Sequence, residues 1–157
     1  MNEEIKKPTT ITGRILYYDV ENANRRIYTK ECALDILKQF GELSHNSSML
    51  GELDFPDDRA EVQLASVSHR IEEMHLDEEH KCLVGTISIC EGTPNGQKLE
   101  KQIQAFGGPK NFDKFFAIRT RGTGTINEKG EVENYKLFSC DVISKDKDPF
   151  NSILRIE

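Results

Sequence analysis

Phe115-Phe116-Ala117-Ile118-Arg119-Thr120-Arg121-Gly122-Thr123-Gly124-Thr125-Ile126 runs into Asn127-Glu128-Lys129-Gly130, and the chain returns through Val132 to Ser144. Both runs are rich in β-branched and aromatic residues, the second through Tyr135, Leu137, Phe138 and Val142. The Asn/Gly-bearing segment between them is a reversal signal. The stretch therefore predicts two antiparallel strands joined by a turn.

Working outward, Thr10 to Tyr18 predicts a first strand, and Lys81 to Cys90 alternates like another. Val62 to Ile71 alternates too, and the acidic turn Asp77-Glu78-Glu79 suggests a hairpin. Ala33, Ile36, Leu37 and Phe40 fall at helical spacing over Thr29 to Phe40, with Thr29 as N-cap and Gly41 as the stop. A second helix is expected over Gln97 to Phe106, from Leu99, Ile103 and Phe106, after a turn at Thr93-Pro94-Asn95-Gly96 and before Gly107-Gly108-Pro109. The expected class is α+β, a mostly antiparallel β-barrel of about six or seven strands with two or three peripheral helices. Residues 1–9 read as an arm, 10–145 as the domain, and 146–157 as a tail.

The chain has 157 residues, which suits one domain. Apolar residues make up 36%, charged residues 31%, and the formal net charge is −6, a composition that matches a soluble globular protein. Basic residues are interleaved with acids, and the longest basic clusters are Lys6-Lys7 and Arg25-Arg26. That is too little to neutralise several phosphates, so no nucleic-acid partner is expected. No run is long and apolar enough for a bilayer, and the N-terminus has no apolar leader, so no membrane partner is expected either. Cys32, Cys82, Cys90 and Cys140 form no C-x-x-C pair, and they read as reduced packing residues. His69, His75 and His80 do not share one face, because the turn between them breaks the line, so neither a metal nor a cofactor is expected.

Several short strings occur in a fixed order. Asn22-Ala23-Asn24-Arg25-Arg26-Ile27-Tyr28 resembles the N-x-N-x-R-x-Y segment of the prohead core (head-maturation) proteases of T4-like bacteriophages. Gly51-Glu52-Leu53-Asp54-Phe55-Pro56 resembles their G-E-L-D-H-P, and Arg119-Thr120-Arg121-Gly122-Thr123-Gly124 resembles their S-S-R-G-x-G. Ser68-His69-Arg70-Ile71, Gly85-Thr86-Ile87, Thr93-Pro94-Asn95-Gly96 and Cys140-Asp141-Val142-Ile143 extend the similarity over roughly residues 10 to 145. The resemblance implies a fold related to the herpesvirus assemblins, serine proteases on a barrel of mainly antiparallel strands.

Carried over residue by residue, the resemblance puts Phe55 where the family has its histidine base, and a phenyl ring accepts no proton. The nucleophile falls on Arg119 or Thr120, either of which weakens the chemistry, since arginine cannot attack and threonine adds a crowding methyl. Asp141 lies where a third triad member could come from, although a lone aspartate near a strand end is more often solvated. Arg121, Gly122 and Gly124 match the turn that would serve an oxyanion; their structural use would be an Arg121 ion pair with Asp54 or Glu52 and tight glycine geometry. Loss of base and nucleophile together predicts an inactive protein: a phage virion structural or head/neck assembly protein acting by protein–protein binding. Its expected partners are other head, neck or scaffold proteins, or further copies of itself, in the host cytoplasm during assembly and then in the virion. The alternative is an active serine-type maturation protease with a rearranged site using Thr120 and His45, because Gly41-Glu42-Leu43-Ser44-His45 echoes Gly51 to Phe55.

Overall fold

The computed structural model describes residues 8–44, 49–56 and 61–150. Residues 1–7 of the arm, His45, and residues 151–157 of the tail lie outside the described residues. Strand β1 (Thr10–Tyr17) leads through the loop at Asn22 to helix α1 (Lys30–Leu43), short strand β2 (Met49–Gly51) and a 3-10 turn at Leu64–Ser66. Then come β3 (His69–Asp77), β4 (Cys82–Ile89), α2 (Pro94–Ala105), the single turn α3 (Phe112–Phe115), β5 (Phe116–Ile126) and β6 (Val132–Ser144).

α1 starts where the Thr29 hydroxyl accepts the Cys32 amide at 3.1 Å, and it buries Cys32, Ala33, Ile36 and Phe40. The sequence predicts its end at Gly41; the helix instead passes Gly41 and stops at Leu43, where the Ser44 amide bonds back to Phe40. Gly41 faces open space and is not in the left-handed region, so nothing there breaks the helix. Thr93-Pro94-Asn95-Gly96 is likewise the first turn of α2 and not a free turn. Thr93 caps the Gly96 amide at 3.0 Å, Pro94 takes the first helical position, and a Cβ on Gly96 would run into the Cys90 carbonyl. The alternation of Val62 to Ile71 is a strand only from His69 onward, because the 3-10 turn interrupts it.

The strands form two antiparallel sheets, one ordered β1-β4-β3-β2 and one of β5-β6. This corrects the expected barrel: six strands are present among the described residues, but their ladders do not close into one cylinder. The core lies between the sheets and α1, with Ile15, Ile36, Ile71, Leu83, Ile87 and Ile118 almost fully buried. Within β1, Ile15 is the extra residue of a bulge, and Gly85 of β4, paired with Gly13, leaves room for its side chain.

Where the ladders stop, side chains take over. Between β5 and β1, the Arg119 guanidinium donates to the carbonyls of Arg14 and Ile15, and to that of Ile118 at 2.8 Å. Its other edge grips Asp148 through two 2.7 Å bonds, and both residues are buried. Asp148 also accepts the Phe150 amide at 2.9 Å, which pins the segment after β6 beside β1. Arg119→Ala should therefore strand a buried carboxylate and lower stability by about 3–5 kcal/mol, read as a drop in the urea midpoint. The double change Arg119→Met with Asp148→Leu should sit much closer to the parent; a loss below about 1 kcal/mol for Arg119→Ala would show that this seam is not structural.

Candidate functional site

Three of the strings singled out in the sequence converge on one cavity of about 240 Å³. Asn22, Asn24, Arg26 and Tyr28 come from the first, Phe55 from the second, and Arg119, Thr120, Arg121 and Gly122 from the third; Leu16, Tyr135, Pro149 and Phe150 complete the lining. The loop at Asn22 is shaped by that residue's own side chain, whose Oδ1 accepts the amides of Asn24 and Arg26 at 2.9 and 3.2 Å. Arg26 and Tyr28 line the cavity side by side, and the Ala23 amide bonds to the Pro149 carbonyl at 2.8 Å.

The alternation of β5 separates the two nucleophile candidates. Arg119 is committed to Asp148 and the β1 carbonyls. Thr120, half-buried, lines the cavity together with Tyr135. Gly122 leaves room for the Tyr135 ring, since a Cβ there would lie 2.7 Å from the Tyr135 hydroxyl and 2.2 Å from the Lys136 carbonyl. Gly124 is tight against the Glu133 carbonyl, at 3.0 Å from an added Cβ.

Asp141 is fully buried and not a solvated strand-end carboxylate, which corrects the sequence reading. It accepts from Arg121 Nε at 2.7 Å, from the Ser139 hydroxyl at 2.7 Å and from the Glu52 amide at 3.1 Å. Arg121 Nη2 reaches Glu52 at 2.9 Å, so of the two carboxylates expected for its ion pair it takes Glu52 and not Asp54. The cluster joins β6 to the segment after β2, where Leu53 bridges to Val142. Asp54 and Phe55 then turn away with φ of 63° and 49°. Left-handed backbone at a bulky aromatic is strained, and the turn swings Phe55 to the cavity wall.

His69 closes the same seam. Its Nε2 lies 2.7 Å from the Cys140 carbonyl, which can only accept, so Nε2 carries the proton and Nδ1 accepts from the Ser68 hydroxyl at 2.7 Å. Gly51 lets the ring in, because a Cβ would come within 2.2 Å of Nε2. Ser68 and His69 are both fully buried, out of reach of a substrate carbonyl. His75 is exposed, and His80 pairs with Asp77 at 2.8 Å. Burial pushes up the thiols of Cys32, to about 11, and of Cys140, as for packing residues. No His, Asp or Glu is among the described residues lining the Thr120 cavity. Sequence reasoning missed Tyr135, Asp148 and the Ser68–His69 pair, whose partners are set by the register of β5 and β6 and by contacts distant in sequence.

No protein-family model matches the sequence, and no curated protein matches it. Among solved structures, the chain is similar to the bacteriophage T4 capsid assembly protease, gp21, with a TM-score of 0.73 and 27% identity. The likeness covers 88% of this chain and 82% of that one, so the chain has a prohead-protease-like fold. The expectation that it is not an enzyme is corrected by this finding: the matching protein is a protease, and loss of activity has no support beside it. Phe55 removes one candidate base, while Thr120 keeps a hydroxyl in the cavity.

Burial holds the His69 imidazole below its ordinary pKa, with the Cys140 carbonyl and Asp141 opposing that shift. A folded pKa below the unfolded one means that the unfolded chain binds the extra proton first. Stability should therefore be full above about pH 6.5 and fall as the pH drops below it. The check is the urea midpoint at pH 8 against pH 5. His69→Gln, which keeps a donor for Cys140, should flatten the loss; an equal loss in that variant would assign it to other groups.

Proposed function

We propose that the chain acts in bacteriophage head assembly as a hydroxyl-nucleophile endopeptidase with Thr120 as the attacking group. The reading is carried by one observation: Thr120, which bears a hydroxyl, lines the cavity on which the three protease-like strings converge, in a chain similar to a capsid assembly protease. Peptide-bond cleavage by a hydroxyl needs a base to take its proton, and an oxyanion site for the tetrahedral intermediate. Phe55 cannot be that base. His45 is the histidine assigned to it, on the echo of the Gly-Glu-Leu string. The approach of α1 to β6 favours this choice: Gln39 donates to the Tyr135 carbonyl at 2.7 Å and accepts the Leu137 amide at 2.8 Å. The chain shortly before His45 is thus held against the hairpin that carries Thr120.

The substrates under this reading are capsid or scaffold polypeptides, met in the host cytoplasm while heads assemble, with the protein retained in the virion or released. Binding of other head proteins then serves catalysis and is not an end in itself. Purified protein should cleave head or scaffold proteins of its own phage and be labelled by an alkyl fluorophosphonate. Thr120→Ala should abolish both. His45→Ala should slow labelling by about 10²-fold or more, the usual contribution of a general base. A parent that neither cleaves nor labels, or a Thr120→Ala variant that behaves like the parent, would sink the proposal.

A further inference from the structure

We infer that the groove between α2, α3 and the segment after β2 is the seat of a second copy of this chain, so that the protein pairs with itself through this face. The groove encloses about 850 Å³, room for several side chains. The turn at Asp54 and Phe55 stands between it and the Thr120 cavity: Asp54 and Pro56 line the groove, and Phe55 lines the cavity. α2 lays one stripe along it. Lys98, Gln102 and, at the C-cap, Phe106 follow at intervals of four and share a face, while Leu99 and Ile103 turn into the core. Phe106 stacks on Phe115 with ring centroids 4.6 Å apart, yet the two stay 46% and 41% exposed. Leu64, 79% exposed, belongs to the 3-10 turn whose Ser66 also lines the groove. Large apolar side chains left open around one concavity are packing that a protein partner completes.

The charges decide which partner. Of the charged residues lining the groove, Glu52 is held by Arg121, and Lys145 lies 3.7 Å from Asp148. Lys98 and Lys114, and likewise Asp54 and Asp146, have no ion pair among the described residues. A face with matching numbers of unpaired cations and anions does not favour a strongly acidic or strongly basic ligand. Across a two-fold axis it complements itself, because the lysines of one copy meet the aspartates of the other and the reverse. The net charge of −6 on each chain opposes association wherever charges are not matched in this way, which makes a balanced face the favoured contact. None of these four residues lines the Thr120 cavity, so the inference does not depend on the reaction proposed there.

Sedimentation velocity on the full chain, from about 1 to about 200 µM at low salt, tests it. The parent should pass from monomer to dimer over that range, and added salt should weaken the association by screening the charge pairs. Lys98→Glu with Lys114→Glu makes the unpaired charges all negative; Asp54→Asn with Asp146→Lys makes them all positive. Asparagine is chosen at position 54 because it tolerates the left-handed backbone there, with φ of 63°. Each double variant should lose about 100-fold in self-association, since like charges then face one another. Mixed one to one, the two variants should pair with each other about as tightly as the parent pairs with itself, which also shows that both are folded. Double variants that dimerise like the parent would overturn the inference, as would monomeric variants that melt like the parent and fail to pair when mixed. A parent still monomeric at about 200 µM would overturn it too, and would leave the face to a different polypeptide.

Discussion

Two sheets that meet edge to edge without completing their ladders leave backbone carbonyls inside the protein, and each of them needs a donor. Here the donors are side chains. Arg119 spans from β5 to the Arg14 and Ile15 carbonyls, and His69 reaches the Cys140 carbonyl from the other sheet. Each stitch is itself held from behind, by Asp148 in one case and by the Ser68 hydroxyl in the other. The polar groups that fill these seams are buried because they complete hydrogen bonding that the backbone cannot complete alone.

The candidate site inherits its shape from the second seam. Gly51 admits the His69 ring, Glu52 and Asp141 fasten Arg121, and Leu53 bridges to Val142. With those contacts fixed, the chain has to leave β6 sharply, and it does so through two left-handed residues, of which Phe55 is the second. The aromatic ring at the cavity wall is thus an outcome of seam geometry as much as of the residue chosen. Thr120 is set by the other side of the same hairpin. Arg119 takes its neighbouring face, and Tyr135 lines the same cavity beyond the slip in register after Arg121.

The hairpin of β5 and β6 and the body of α1 were legible in the sequence, because β-branched runs, a capping threonine and helical apolar spacing are local signals. The protease-like strings were legible as well, and they do meet in space around Thr120. Arg119 was not. A charged residue in an alternating strand reads as solvent-facing, and its partner Asp148 lies in what reads as a tail. Asp141 and His69 failed to declare themselves for the same reason: the partners that make their burial tolerable are 20 and 71 residues away. Pro94 reads as a turn former until Thr93 is seen capping the helix it begins. Tyr135 depends on a one-residue bulge, which periodicity does not locate.

The seams also bear on the time course of folding. The hairpins β3–β4 and β5–β6 join neighbours in sequence, whereas the stitch from Arg119 to Arg14 closes a separation of 105 residues, and Glu52 meets Asp141 across 89. Loop-closure entropy has to be met before such distant contacts return any stabilisation. The β3–β4 and β5–β6 hairpins can therefore form early as locally closed units, while the docking of β1 on β4, from Thr10↔Ser88 to Tyr17↔Cys82, and the stitching of the sheet edges wait for most of the chain. On this topology the pace of folding is expected to follow the closing of these long-range pairings, the β1–β4 ladder and the two polar seams, while the apolar interior supplies most of the driving force.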